Sequence, residues 1–375
     1  MKIISTAHFK IRVVLIILLK LISTILVPIL FLTTASEAYA QPGLYTSARA
    51  CVLMYEDGQC LYEKNADDKM LIASTTKLMT AIVAIENTKL ESKVKIKAEH
   101  CAVEGSSMNL KAGETYTVKE LLLGLLLASG NDAALALAHH VSGSSHEFAL
   151  LMNEKARELG MVNTSFANPH GLDAPEHYST ARDLAVLMLY CMDNQTFKEL
   201  NSSKAANIKG QSYSNHNKLL IQYPGCVGGK TGFTSAAGRC LVSCSEREGM
   251  RFVCVTLSDP DDWRDHMLLY DYAFENFCLH KFGENISYYI PLVSANKRKV
   301  KVVCKEKCEI FAGKDERIEL KTEIPAFTFA PVKIGETAGK ICVIIKSNVV
   351  AVLPLVYAEE AVVAYPCMSK PEGDA

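Results

Sequence analysis

The sequence lacks a charge excess of either sign: 40 Lys and Arg stand against 41 Asp and Glu, a formal net charge of −1. That balance does not suit a nucleic-acid partner, which needs a strongly basic face. Zinc-ligand spacing is missing too. Thirteen cysteines are present, but Cys240 and Cys244, like Cys304 and Cys308, are separated by three residues and have no matching histidine set. No metal or cofactor is expected. Tryptophan occurs once, at Trp263, and reads as a packing residue rather than a sugar platform. The end of the chain, Ala364 to Ala375, carries Pro366 and Pro371 in a short polar tail, which excludes an amphipathic membrane helix there.

A long apolar run is present near the start. Val13 to Leu32 follows Lys2, Lys10 and Arg12 and leads to Ala38-Tyr39-Ala40 before Gln41. This is the pattern of a secretory signal with a small-residue cleavage site, so residues 1–40 are expected to be removed and the body exported. A retained anchor is the competing reading, but Lys20 inside the run would cost about 2.5–3.5 kcal/mol on an insertion scale. All thirteen cysteines follow Ala40, which in an exported chain ordinarily means disulfides with one thiol left over. Several alternate with apolar residues in predicted strands, where a free cysteine serves as a small hydrophobe. Mostly buried free thiols are therefore expected.

Three short words carry the chemistry: Ser74-Thr75-Thr76-Lys77, Ser129-Gly130-Asn131 and Lys230-Thr231-Gly232. The apolar spacing of Leu78, Met79, Ile82 and Ile85 predicts a helix over 74–87, which puts Ser74 and Lys77 on one face. A serine hydroxyl needs a neighbour to take its proton as it attacks. Lys77 can do so if burial or a second cation destabilises its ammonium, and Lys230 is the candidate cation. The helix start also leaves the amide of Ser74 available to an oxyanion.

Each word has decoys or a bland reading. Ser-x-x-Lys recurs at Ser92–Lys95 and Ser294–Lys297, in Lys-rich stretches that read as solvated faces; Ser-x-Asn recurs at Ser107-Met108-Asn109. Ser129-Gly130-Asn131 is preferred because it breaks two apolar helical runs, Val118 to Ala128 and Asp132 to Val141, and a loop between packed helices presents polar groups to a cleft. Lys-Thr-Gly occurs once, ahead of two alternating segments, Arg239–Ser245 and Arg251–Leu257, around the turn Glu246–Gly249. It is thus placed on the first strand of an antiparallel meander. Near the other end Arg49–Tyr55 and Gln59–Glu63 flank the hairpin signal Asp57-Gly58. Strands at both ends with helices between them give an α+β layout. His170 reads as turn chemistry in Asn168-Pro169-His170-Gly171, and His139 and His140 suit the negative end of a helix rather than a ligand role.

With these words, and with Gly160–Thr164, Asn168–Leu172, Tyr178–Leu184 and Asn215–Leu220, the chain from about Thr46 to Phe277 resembles the serine-type D-alanyl-D-alanine carboxypeptidases. These are low-molecular-mass penicillin-binding proteins related to serine β-lactamases. The resemblance implies a β-lactamase/transpeptidase-like catalytic domain acting on the peptidoglycan stem peptide, with β-lactam antibiotics as inhibitors. It implies that Ser74 attacks the bond between two D-alanines, Lys77 is the base and Ser129 passes a proton to the leaving amine. It further implies that Asn131 holds the substrate amide and Lys77, Lys230 and Thr231 bind the terminal carboxylate, and the amides of Ser74 and Phe233, beside Gly232, form the oxyanion hole. Some relatives add an arginine at the carboxylate; Arg264 lies in the right region, with a solvated helix face as its bland alternative. A β-lactamase would need an extra glutamate for deacylation, which has no clear counterpart here. A D,D-endopeptidase uses the same parts, and a non-enzymatic wall-binding protein would have little need of all these polar groups.

The mature length predicts two domains, with a break near Lys281–Asn285. The catalytic domain is expected over 41–284 and a small all-β sandwich over 285–357, with strands at Val300–Cys304, Ile318–Glu323, Lys340–Lys346 and Val349–Pro354. A polar tail occupies 358–375. Clustered Lys297, Arg298, Lys299 and Lys301 read as a solvated basic face, with association with anionic wall polymer or lipid as the alternative.

Overall fold

The computed structural model describes residues 44–364; the expected signal segment and residues 365–375 of the tail lie outside them. Among the described residues no helix is long and apolar enough to cross a membrane.

The chain opens with the hairpin β1 (Ala50–Tyr55) and β2 (Cys60–Lys64). Gly58 supplies the left-handed turn position at φ +93°. A helical region follows: α1 (Lys77–Asn87), α2 (Ala98–Cys101), α3 (Val118–Leu127), α4 (Asn131–Ser142), α5 (Ser145–Glu158), α6 (Ala181–Asp193), α7 (Gln195–Asn201) and α8 (Leu219–Gln222). Two small hairpins interrupt it, β3 (Lys93–Lys95) with β4 (Thr115–Thr117) and β5 (Ala205–Ile208) with β6 (Gln211–Ser214). Local capping chemistry sets several of these starts. Thr117 accepts the amide of Glu120 while the Glu120 carboxylate accepts the amide of Thr117, and Ser144, Thr180 and Asn194 cap α5, α6 and α7.

The meander then forms as β7 (Cys226–Thr234), β8 (Gly238–Arg247) and β9 (Met250–Leu257), followed by α9 (Asp262–Asn276). The turn after β8 is tighter than the sequence suggests. Arg247 pairs with Met250, so only Glu248 and Gly249 lie between the strands, both at positive φ as a two-residue hairpin requires. β9 returns to pair with β1, giving an antiparallel sheet of order β2-β1-β9-β8-β7 with β7 at its edge. Every residue of β1 is buried because the sheet is covered on both faces. Ala50, Val52 and Met54 face the cluster around α1, α3, α4 and α6, while Leu53 and Tyr55 face α9 through Leu269, Tyr270 and Ala273.

The remaining chain is all β: β10 (Phe277–Phe282), β11 (Ser287–Val293), β12 (Lys299–Cys304), β13 (Cys308–Gly313), β14 (Ile318–Glu323), β15 (Thr328–Phe329), β16 (Thr337–Ile345) and β17 (Asn348–Tyr357). Six strands form one sheet, β14-β16-β17-β12-β11-β15, and β10 pairs with β13. The four expected strands are present with their ends shifted by no more than three residues, whereas β10, β11, β13 and β15 went unread. β11 carries Pro291, which masks the strand pattern. β10 follows α9 directly and is tied by pairing to β13, although the sequence places the break after it. Beyond β17, bridges from Ala361 to Val332 and from Val363 to Ala295 keep the first tail residues on this sheet region. Phe311 of β13 stacks on Tyr55 at 3.7 Å and on Phe277 at 5.2 Å, joining the β region to the first sheet.

Seven of the twelve cysteines among the described residues are buried. Most lie in strands and Cys191 lies in α6, and burial pushes the thiols of Cys191, Cys244 and Cys254 well above their ordinary pKa.

Candidate active site

The predicted helix over 74–87 begins one turn late. Ala73–Thr76 is a 3₁₀ turn and the α-helix starts at Lys77. The turn is held from several sides. Ala73 has φ +46°, Thr75 Oγ1 donates to the carbonyl of Ile72 at 2.6 Å, and Thr76 Oγ1 donates to that of Ala73 at 2.8 Å. The ring of His177 hydrogen-bonds Thr76 Oγ1 at 2.8 Å. Gly171 packs so tightly that a Cβ there would stand 2.0 Å from the Ala73 carbonyl oxygen. Such over-determination is what keeps an uncommon backbone conformation in place.

Three residues after Ser74, Lys77 is fully buried and its Nζ donates to Ser74 Oγ at 2.8 Å, Asn131 Oδ1 at 2.7 Å and the carbonyl of His170 at 2.5 Å. Burial, and after it the charge of Lys230, pushes the Lys77 ammonium well below its ordinary pKa, with Asp132 opposing. The Asn168-Pro169-His170-Gly171 turn is therefore a brace: its backbone takes Lys77 and, at Pro169, the hydroxyl of Thr80 at 2.6 Å. The His170 ring instead accepts the amide of Leu172 at 3.2 Å.

Ser129 sits at φ +58° in the three-residue corner between α3 and α4. Asn131, the first residue of α4, is held by its amide to Ser106 O at 2.7 Å and by Nδ2 to Glu104 O at 2.6 Å. Next to it the buried carboxylate of Asp132 gathers Ser107 Oγ at 2.6 Å and the amides of Met108 and Leu110, each at 3.0 Å. The decoy Ser107-Met108-Asn109 thus serves as scaffold beside the preferred word. The decoys at Ser92 and Ser294 lie outside the cavity.

Lys230, Thr231 and Gly232 lie on the edge strand β7. Lys230 is buried and burial pushes its pKa down to about 7; its Nζ donates to Thr231 O at 2.8 Å. Asn201 fixes the strand by exchanging two hydrogen bonds with the backbone of Gly229, at 2.6 and 3.1 Å. Ser74, Ser129, Thr231, Gly232 and Phe233 line one cavity of about 310 Å³, with Lys77, Asn131 and Lys230 packed behind its wall.

Five further residues line the cavity: Ser106, His216, Arg239, Asp262 and Trp263. Trp263 is therefore on the cleft wall rather than only a packing residue. Arg264 is 75 % exposed and pairs with Asp261 at 3.5 Å, so it is the solvated helix charge of the bland reading. The arginine at the rim is Arg239, placed on β8 directly across from Phe233. It pairs with Asp262 at 2.5 Å and lies 5.7 Å from the Trp263 ring, while its Nε is buried without a hydrogen-bond partner. Strand register brings it there, and register across the Ser235–Ala237 turn is not readable from residue order.

With this geometry in hand, the comparisons identify the family. Residues 35–261 match the family model described as D-alanyl-D-alanine carboxypeptidase. The chain belongs to this family. Residues 274–362 match the model for the C-terminal domain of penicillin-binding protein 5. The carboxypeptidase is 35 % identical to D-alanyl-D-alanine carboxypeptidase DacF of Bacillus subtilis over 326 residues, covering 82 % of this chain and 80 % of that one. It is 31 % identical to DacA of Haemophilus influenzae over 318 residues, covering 79 % and 80 %. Among solved structures, penicillin-binding protein 6B of Escherichia coli superposes with a TM-score of 0.68 at 26 % identity, over 85 % of this chain and 98 % of that one. DacD of Francisella tularensis does so at 0.65 and 27 %, over 89 % and 98 %. The enzyme is a serine-type D-Ala-D-Ala carboxypeptidase with a transpeptidase-like catalytic region followed by a β domain, and penicillin binding is characteristic of its family.

Proposed function

We propose that Ser74 is the nucleophile, and that it is acylated by the penultimate D-alanine of a peptidoglycan stem pentapeptide. The observation that carries this is the contact of Lys77 Nζ with Ser74 Oγ at 2.8 Å in a buried site that favours the neutral amine. A neutral Lys77 takes the hydroxyl proton as the Ser74–carbonyl bond forms. The amides of Ser74 and Phe233 hold the oxyanion. Collapse of the tetrahedral intermediate breaks the bond to the last D-alanine, whose nitrogen receives a proton through Ser129. Asn131 orients the substrate amide and Lys77. Water then adds to the acyl-enzyme and frees Ser74.

Lys230 and Thr231 receive the substrate's terminal carboxylate, and Arg239 joins them from the neighbouring strand. Its buried, unpaired Nε and its place on the cavity wall support this addition. The reading places the enzyme outside the cytoplasm, where the stem peptide is exposed. The signal pattern of residues 1–40 supports export, and the β region from 285 to 357 is the part that would meet wall polymer or membrane.

The test incubates purified enzyme with a stem pentapeptide, a cross-linked dimer and a penicillin. Release of D-alanine, lost in Ser74→Ala, together with a stable penicilloyl adduct on Ser74, is expected. Rapid penicillin turnover without D-alanine release would overturn the reading, and cleavage of the dimer in preference to the pentapeptide would make the enzyme an endopeptidase.

A further inference from the structure

Away from the catalytic cavity, two imidazoles and a carboxylate converge where the short helix α2 meets the last turn of α4. His100 is buried, His139 is half-buried and Glu99 is exposed. His100 Nε2 lies 3.1 Å from His139 Nδ1, and Glu99 Oε1 lies 3.3 Å from that Nδ1 and 4.0 Å from that Nε2. A zinc-like ion bound at about 2.0–2.1 Å in a tetrahedron needs ligand atoms about 3.3–3.4 Å apart. The three observed separations bracket that edge.

We propose that Glu99, His100 and His139 form a binding site for one divalent transition-metal ion of the zinc class. The donor set, two imidazole nitrogens and a carboxylate oxygen, suits such an ion. His139 stands in the last turn of α4, where the helix end favours a positive charge, and its second nitrogen lies 3.4 Å from Ser145 Oγ, as a ligand held from behind. Two groups of Lys97 give way on binding. Its ammonium, paired with Glu99 at 3.2 Å, is on a side chain 63 % exposed and swings into solvent. Its amide donates to His100 Nδ1 at 3.3 Å, a hydrogen bond that is given up when Nε2 takes the ion and the proton moves to Nδ1.

The ion has a structural task. None of its three ligands lines the catalytic cavity, but α2 leads into the segment that gives Glu104 O to Asn131 and Ser106 to the cavity wall. Asn131 is the first residue of α4 and His139 stands in its last turn. Joining α2 to α4 therefore ties down the segment that positions Asn131.

The experiment uses the full chain, stripped with chelator and titrated with Co²⁺ and then Zn²⁺. One Co²⁺ per chain is expected, with visible ligand-field bands, no thiolate charge-transfer band, displacement by Zn²⁺ and a Zn²⁺-dependent rise in thermal midpoint. Glu99→Gln and His139→Ala are each expected to weaken binding by at least about tenfold, while Cys101→Ser leaves it unchanged. Metal-free D-alanine release by His139→Ala stays at the wild-type level. If His139→Ala fails to fold, the exposed Glu99→Gln decides. A missing cobalt spectrum, a thiolate band, or affinity indifferent to Glu99→Gln and His139→Ala would overturn the site and leave the two imidazoles as a hydrogen-bonded pair.

Discussion

Gly232 lies so close to the 3₁₀ turn that a Cβ at this position would stand 3.0 Å from the amide nitrogen of Ser74 and 3.1 Å from both Ala73 Cβ and Ile72 O. Two of these neighbours are backbone atoms that cannot swing aside. The Gly232→Ala variant must therefore separate β7 from the turn by a few tenths of an ångström, which moves the Ser74 and Phe233 amides apart. Losing one oxyanion donor costs roughly 10²–10³ in rate. A fall of that order in the acylation rate with penicillin is expected, measured by stopped-flow, with the fold retained. An unchanged acylation rate would remove the oxyanion role from this pair of amides.

Lys230 supplies the pH dependence of substrate capture. Burial lowers its pKa to about 7, so in the free enzyme the charge is present below that value and lost above it. An arriving carboxylate stabilises the ammonium and raises the pKa again. The value of kcat/KM, which reports the free enzyme, is expected to fall as pH rises through about 7, while kcat holds to higher pH. A kcat/KM profile that stays flat well above pH 7 would take Lys230 away from the carboxylate.

Stability on the acid side is tied to His177. Its Nδ1 accepts the amide of Ala167 at 3.1 Å, so its Nε2 carries the proton toward Thr76 Oγ1. Burial lowers its pKa from 6.5 to about 4. The unfolded chain binds the proton first, so the stability contributed by neutral His177 is complete above about pH 6.5 and is lost as pH falls toward 4. The loss is on the order of 3 kcal/mol. Denaturant melts at pH 7 and pH 4.5 should show it, and His177→Gln should lower stability at pH 7 but flatten the slope. An equal slope in the variant would assign the acid limb elsewhere.

How much of this was legible in the sequence depends on how far each contact reaches along the chain. The Ser74–Lys77 pair was readable because one helical turn sets it, and the corner at Ser129 because two apolar runs stop there. The β8–β9 hairpin was readable for the same local reason, though its turn is shorter than four residues. Asp132 was not, because the amides and hydroxyl that it gathers lie 22 to 25 residues away in a segment without regular structure. β10 and β13 were missed because their pairing crosses from one region to the next, and no local alternation announces it. Arg264 was considered and Arg239 was not, since residue order says nothing of which arginine the strand register turns toward the cavity.

That difference between the two arginines gives the last prediction. Arg239 stands across from Phe233 with Asp262 and Trp263 holding it, and Asp262 is buried. Removing the guanidinium alone would leave the Asp262 carboxylate without its cation, and its pKa is already raised by burial. The informative comparison is therefore Arg239→Met with Asp262→Asn added to both backgrounds. The double variant keeps the wall packed without a stranded charge. Its KM for the pentapeptide is expected to rise by about 10- to 100-fold with kcat changed much less, the loss of one charge-assisted contact of about 1.5–3 kcal/mol. Asp262→Asn alone keeps most of the affinity, because Arg239 remains beside Trp263, and Arg264→Ala leaves both constants at the wild-type value. If Arg264→Ala raises KM and the Arg239 variants do not, the carboxylate lies on the helix side of the cleft and the rim assignment moves there with it.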